Sequence, residues 1–275
     1  MILNILRRSF ISAILIIGII ANEAFSQDNV FETGEELKYE ISYGFIKLGY
    51  MKFVLTNTKK TGKKTFYNAR LEVKTYPEVP FITVNDIFET EMEFSEVEEK
   101  DEEELFSNKF YETNFRNRSI TRQDCRFNYK KYMVKYSKET DGDLEIDKEI
   151  PIKEHIRYRD ELSWMYEYRL NSFTNKNYNI PVFSEGEGSS VRYSYNVNKT
   201  VIKIEKTNYE IAVIKMEGTS DFTGVFGFKG EFLVLLSDDD YRVPIKAYFN
   251  SSLGNVVLEL IEYKKAKWTP PPFLK

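Results

Sequence analysis

Apolar and polar residues alternate along almost the whole chain, and a side-chain period of two belongs to an extended strand with one buried face. Leu37, Tyr39, Ile41 and Tyr43 alternate with Lys38, Glu40 and Ser42 until Gly44 breaks the run. Gly49, Met51, Phe53 and Leu55 share one side of Lys47 to Thr56, and Gly62-Lys63 turns the chain into Tyr67, Ala69, Leu71 and Val73. After the break at Tyr76 to Pro80, the stretch Ile82 to Phe94 points Phe88, Thr90, Met92 and Phe94 one way and glutamates the other. Two or three more strands are expected between Leu105 and Ser137. Among them is Arg126 to Ser137, which carries Phe127, Tyr129, Tyr132 and Tyr136 among lysines. Asp141-Gly142-Asp143 predicts a turn.

The pattern returns beyond Pro181, in Val191 to Val197, Val201 to Lys206, Tyr209 to Glu217 and Phe222 to Phe228. Phe232 to Leu236 is continuously apolar and predicts the most buried strand. Asp238-Asp239-Asp240 turns the chain into Arg242 to Phe249, and Ser251 to Gly254 turns it into Val256 to Tyr263. Strands joined in this way make a long antiparallel meander. A meander with one buried face must fold on itself to cover that face. The expected fold is therefore all-β, a strongly curved or partly closed, barrel-like sheet.

One segment departs from period two. Between Arg159 and Phe173, Leu162, Met165, Tyr166 and Leu170 recur at helical spacing, with Arg159, Glu161 and Arg169 off that face. Asp160 is placed to cap the start and Asn171 to end the helix. The apolar face of this helix has nowhere to go except onto the sheet.

Residues 1 to 26 predict a cleavable signal peptide. Arg7 and Arg8 precede an apolar run from Phe10 to Ile20, and Ala24-Phe25-Ser26 forms a small-x-small cleavage site before Gln27. The run is shorter than the ~20 apolar residues of a spanning helix. Residues 27 to 275 are expected to form a single β-rich domain in the periplasm or outside the cell. It would not be lipid-anchored, because the one cysteine, Cys125, lies far from the cleavage point. A membrane barrel is disfavoured by charge on the outward side of nearly every strand, 30% of all residues being Asp, Glu, Lys or Arg.

Removing residues 1 to 26 leaves 37 basic against 42 acidic residues, interleaved, with no basic stripe for nucleic acid. The acidic stretch Glu96 to Glu104 lacks the ordered oxygen spacing of an EF-hand and reads as a solvated turn.

Three blocks carry a family likeness. They are Gly34 to Tyr39 with Gly49 in the following hairpin; Asp160-x-x-Ser163-x-x-Tyr166-x-x-Arg169; and Tyr241 to Ile245 continuing through Leu253-Gly254 to Leu258-Glu259-Leu260. In this order they resemble Domain of Unknown Function 3108, a family of exported bacterial proteins, over nearly the whole mature chain. The resemblance implies an all-β fold and an envelope setting, and it carries over no catalytic residue.

The chemistry legible in the residues is sparse. Nucleophilic catalysis would have to run through the lone His155, in a charged segment without a Gly-x-Ser-x-Gly elbow, and one histidine with one cysteine does not assemble a usual zinc site. No cofactor is expected. Acids are too many for spacing to mark a glycosidase pair, and Gly186 to Ser190 precedes a strand, which makes a poor phosphate cradle. Asp160 and Arg169 are expected to tie the helix to the sheet. The unusual feature is the aromatic content, 19 Tyr and 21 Phe. Most should fill the core, while Tyr129, Tyr132, Tyr136, Tyr193 and Tyr195 are candidates to line a groove. The expected role is binding or scaffolding of an envelope lipid, polysaccharide or partner protein without catalysis. The alternative is a polysaccharide hydrolase with a carboxylate pair.

Overall fold

A computed structural model describes residues 30–80, 83–97, 102–116, 118–171, 174–224, 229–251 and 254–274; the expected signal segment lies outside them. The first half of the chain makes β1 (Glu36–Tyr43), β2 (Ile46–Thr61), β3 (Lys64–Thr75), β4 (Asn85–Val97), β5 (Glu102–Arg116), β6 (Ser119–Asn128), β7 (Met133–Thr140) and β8 (Asp143–Pro151). A short helix, α1 (Trp164–Leu170), separates these from β9 (Asn177–Ser184), β10 (Glu187–Ile202), β11 (Ile211–Ser220), β12 (Gly230–Ser237), β13 (Pro244–Ser251) and β14 (Gly254–Lys264). All 14 strands belong to one sheet in the order β8-β7-β6-β5-β4-β3-β2-β1-β14-β13-β12-β11-β10-β9. The first and last strands pair with each other, antiparallel, in the middle of the sheet. The meander is thus a ring opened at one seam, between β8 and β9.

The predicted alternation is realised in β1 to β4. Leu37, Tyr39, Ile41, Met51, Leu55, Tyr67, Ala69, Leu71, Val73, Phe88, Thr90, Met92 and Phe94 are all buried. Opposite faces carry cross-strand ion pairs such as Lys52–Glu36 at 2.6 Å and Arg70–Glu89 at 3.1 Å. Gly49 permits close approach of β2 to β3, since a Cβ there would sit 2.0 Å from the Lys74 carbonyl oxygen. Asp141 and Gly142, both at positive φ, make the tight turn between β7 and β8.

Several expectations are corrected. Arg126 to Ser137 is not one strand: the Asn128 side-chain oxygen accepts the Lys131 N–H at 3.1 Å and Tyr132 takes φ 52°, which ends β6 and starts β7. Val191 to Val197 and Val201-Ile202 belong to one strand, β10, with an irregularity between Asn196 and Thr200, and Lys203 to Lys206 lie beyond its end. Phe222 to Gly224 is irregular, and the rest of that expected strand lies outside the described residues. The ends of the acidic stretch Glu96 to Glu104 belong to β4 and β5, and its middle, residues 98–101, also lies outside them. β8 and β9 are not among the expected strands, although both alternate: Leu144, Ile146 and Ile150 against Asp143, Glu145, Asp147 and Glu149, and Tyr178, Ile180 and Val182 against Asn177, Asn179 and Pro181.

The sheet wraps until its ends approach. A Cβ on Gly186, in the β9–β10 turn, would lie 2.9 Å from the Tyr136 ring on β7 and 3.6 Å from Ile150 on β8. The connection between β8 and α1 fills the seam. Ser107 N–H on β5 donates to the Tyr158 carbonyl, Arg159 N–H to the Pro181 carbonyl and Phe183 N–H to the Arg159 carbonyl, each within 2.8–2.9 Å. Arg159 thus forms a parallel bridge to Val182 and covers the β9 edge, where Pro181 is tolerated. β8 keeps an exposed, charged face (Glu145, Asp147, Glu149).

The helix is half the length expected. Residues 159–163 are an extended stretch and a turn, and α1 begins at Trp164. The helix is expected to sit inside the curl, and Trp164 does pack on Phe232 of β12 (centroids 5.5 Å apart), with Tyr166 between Phe31 and Phe53. Arg159, Glu161 and Arg169, expected off the apolar face, are all buried, because the curled sheet surrounds the segment on every side.

Leu162 has no exposed surface. Leu162→Ala is expected to cost about 3 kcal/mol and lower the thermal midpoint by several degrees. Arg157→Ala should cost less, about 1 kcal/mol, through loss of the guanidinium stacked 4.8 Å from the Tyr129 ring. Equal melting temperatures for the two variants would contradict this packing.

Candidate functional site

Between α1 and the wall formed by β1, β2 and β12 to β14 lies a narrow apolar cavity of about 70 Å3, partly open to solvent. Leu37, Met51, Phe53, Val234, Ala247, Phe249 and Leu258 supply the sheet side, and Trp164, Met165, Tyr166 and Tyr168 supply the helix side. Lys229 and Glu231, the exposed members of the lining, mark where it meets solvent. Polar groups inside are few. The Tyr39 hydroxyl donates to the Pro244 carbonyl at 2.9 Å, and Lys246 pairs with Glu259 at 2.5 Å. The Trp164 indole N–H is buried and finds no protein acceptor. The other tryptophan, Trp268, donates to Asp239 Oδ2 at 2.8 Å.

Behind this cavity the helix is fastened by buried ions. Arg169 binds Glu35 through two nitrogens at 2.6 and 3.1 Å, and Lys265 reaches the same carboxylate at 2.5 Å. Arg169 also donates to the carbonyls of Val30, Tyr241 and Arg242. Burial alone would raise the Glu35 pKa, but the two cations and their hydrogen bonds outweigh it and hold the carboxyl below its ordinary value. Arg242 in turn donates to the carbonyls of Arg169 and Leu170, two of the groups a helix C-terminus leaves without partners. Arg159 forms a second buried pair with Glu167 and reaches Glu104 at 3.3 Å.

Asp160 organises the entry to the helix. Its Oδ1 accepts the N–H groups of Leu162 and Ser163 at 2.7 Å, and its Oδ2 accepts the hydroxyls of Thr90 on β4 and Ser107 on β5. It caps the turn ahead of α1 and ties that turn to two strands. Burial nevertheless pushes its pKa up against these hydrogen bonds. Glu161, beside it, accepts the Ser184 hydroxyl at 2.6 Å; burial and the nearby Glu112 charge raise its pKa to about 8. The charge of Glu112 is felt at Glu161, but both are buried and neither lines the cavity.

A family model described as "Protein of unknown function (DUF3108)" matches residues 38–261. The chain belongs to this family. No curated protein matches it. Among solved structures it is similar to the beta-barrel-like protein of domain of unknown function DUF1849 from Brucella abortus, with 10% identity over 83% of this chain and 96% of that one, at a TM-score of 0.45. The three blocks that carry the DUF3108 resemblance meet at Arg169: Glu35 comes from the first, Arg169 from the second, and the Tyr241 and Arg242 carbonyls from the third.

The five candidate tyrosines do not line a common groove in this DUF3108 chain, and none lines the cavity. Tyr129 packs between Phe106 and Phe127 with its hydroxyl on the Ser107 carbonyl, and Tyr132 lies against His155. Tyr136 is buried, with its hydroxyl on Gln123 at 2.6 Å. Tyr193 and Tyr195 cluster with Tyr178 on the far side of the seam, where Tyr193 accepts from Asn171 and Tyr195 donates to the Tyr168 carbonyl. Strand periodicity marks Tyr136, Tyr193 and Tyr195 as inward-facing but cannot say which part of the interior is filled, while Tyr129 and Tyr132 lie in the turn between β6 and β7. Met165 was legible only as part of a helix face and Phe222 only as the start of an expected strand, and neither reading pointed to a cavity.

Asp239 is a turn aspartate, its Oδ1 accepting from the Ser237 hydroxyl and the Tyr241 and Arg242 N–H groups. Cys125 is a buried free thiol whose pKa is raised by burial and by Asp160 and Glu161. Iodoacetamide should leave it unmodified in the folded protein and alkylate it promptly in urea; equal rates in both would show Cys125 accessible. No described helix is long and apolar enough to cross a membrane.

Proposed function

We propose that this is an exported binding protein for an apolar cell-envelope component, a lipid chain held in the cavity between α1 and the sheet. The observation that carries the reading is the cavity itself. Its lining is mostly apolar, and its narrowness, about 70 Å3 of room, matches a single slender chain better than a sugar ring. Each methylene transferred from water into such a lining contributes roughly 0.8 kcal/mol, and these gains are set against the cost of ordering the chain. Export rests on residues 1 to 26, whose charged, apolar and small-x-small regions direct the chain out of the cytoplasm.

Purified protein is expected to carry extractable lipid, detected by mass spectrometry of organic extracts, and to enhance the fluorescence of N-phenylnaphthylamine. Met165→Trp, which fills the cavity from the helix side, should reduce that enhancement at least tenfold. Probe fluorescence unchanged by this substitution would place any binding elsewhere. N-terminal sequencing of the exported protein should begin at Gln27.

A further inference from the structure

We propose that the tip of the β1–β2 hairpin, Tyr43-Gly44-Phe45-Ile46, is a docking finger that inserts into a lipid surface and brings the cavity mouth against it. The choice of a lipid surface rests in part on the cavity being a lipid site. Tyr43 and Ile46 pair across the hairpin, so Gly44 and Phe45 are its two turn residues. Gly44 takes φ 57°, a conformation that calls for glycine at the first turn position only. Nothing in the turn requires an apolar residue at 45, yet Phe45 is 97% exposed, with Ile46 at 48% and Tyr43 at 36%. The two-residue turns Gly62-Lys63, Asp141-Gly142 and Glu185-Gly186 carry charge at their tips instead.

The size of the patch and its place select the occupant. Three side chains on a convex tip offer roughly 400 Å2, about half of what each partner contributes to a stable protein pair. A bilayer interface sets no such minimum, because each aromatic or aliphatic side chain partitions into it separately. The sheet register places the tip at the same end as the mouth. Tyr43 pairs with Val256, Val256 with Phe249 and Phe249 with Phe232, a row across β1, β14, β13 and β12 whose last two members line the cavity. That row spans about 15 Å at ~4.8 Å per strand. Glu231, at the mouth, directly precedes Phe232. Lys47, at the base of the tip, is paired with Glu40 at 2.6 Å and Glu205 at 3.3 Å, so it adds no free charge and docking is expected to be insensitive to salt.

Vesicles of phosphatidylcholine, alone or with phosphatidylglycerol, are the probe. The exported protein is expected to co-sediment with both, equally at low and high salt. Phe45→Ser should lower the partition coefficient roughly tenfold, the loss expected from withdrawing one phenyl side chain. It should leave the melting temperature unchanged, because the ring stands almost wholly in solvent. Phe45→Trp should shift its emission to the blue when vesicles are added, against the two native tryptophans, Trp164 and Trp268, each only 4% exposed. Equal sedimentation of wild type and Phe45→Ser, or no blue shift, overturns the proposal. So does a dimer in buffer that Phe45→Ser dissolves, since the tip would then join two copies of the chain. N-phenylnaphthylamine separates this inference from the cavity reading. A protein that enhances the dye but ignores vesicles keeps its cavity and loses the finger. One that binds vesicles through Phe45 without enhancing the dye keeps the finger and loses the cavity as a lipid site.

Discussion

Glu35→Ala is expected to destabilise the protein by about 5 kcal/mol, near the upper end for breaking a buried ion pair. The reason is the number of charges stranded. Glu35 is 3% exposed and is the carboxylate shared by Arg169 and Lys265, whose side chains are 3% and 0% exposed. Removing it leaves two buried cations facing each other, where removing a cation would leave one carboxylate still paired. Total stability for a domain is typically about 5–15 kcal/mol, so the variant should populate unfolded forms at ordinary temperatures. Urea unfolding of the two proteins side by side gives the measurement. A loss below about 1 kcal/mol would show the triad to be solvated and not structural.

Replacing all three partners by apolar residues separates two roles of Arg169. If it serves only as an ion partner, Glu35→Leu with Arg169→Met and Lys265→Met should restore most of the stability, as removal of buried ion networks often does. Arg169 also donates to three carbonyls, those of Val30, Tyr241 and Arg242, which the apolar triple leaves without a donor. Recovery is therefore expected to be partial. The shifted Glu35 pKa gives this network a pH window. Its folded value is below the unfolded one, so its stabilisation is present above the ordinary carboxyl value of 4.5 and is lost as pH falls through the folded value.

The same triad marks what can and cannot be read in a sequence. Period two locates β1 to β4 because each has one face inward and one outward, and the inward residues are the alternating apolar ones. β8 alternates too, Leu144, Ile146 and Ile150 against Asp143, Glu145, Asp147 and Glu149, but Lys148 interrupts the run and this edge strand buries none of its residues fully. Curling of the sheet was legible as a consequence of a long meander having one apolar face to cover. The burial of Arg159, Glu161 and Arg169 was not. Helical periodicity assumes a helix lying on a surface, with a wet side, and here the segment is enclosed, so its polar residues turn inward to partners far along the chain, as Arg169 does to Glu35. The cavity was illegible for a related reason: Trp164 and Phe53 read like any core aromatics, and only the three-dimensional path of the chain leaves space between them.

Glu161 is a buried acid of the opposite kind, and Glu161→Gln is expected to stabilise the protein at alkaline pH. Glu35 has two cations; Glu161 has the Ser184 hydroxyl, with Glu112 close enough to repel it. Burial first, then that repulsion, lifts its pKa from 4.5 to about 8. A carboxyl with a raised folded pKa holds its proton more tightly folded than unfolded. Its favourable contribution is therefore complete below the unfolded value near 4.5, declines as pH rises, and is gone above about 8. At about 1.4 kcal/mol per unit of pKa, the wild type loses on the order of 5 kcal/mol across that window. Glutamine keeps the oxygen that Ser184 uses and resembles the protonated acid, so the variant should match the wild type near pH 4.5 and exceed it by up to that amount at about pH 9. Urea midpoints at unit steps from about pH 5 to 9 are the measurement, with the wild-type curve falling and that of Glu161→Gln nearly level. Parallel curves would mean that the charge at Glu161 is relieved by solvent, and the seam between β8 and β9 would then have to admit water.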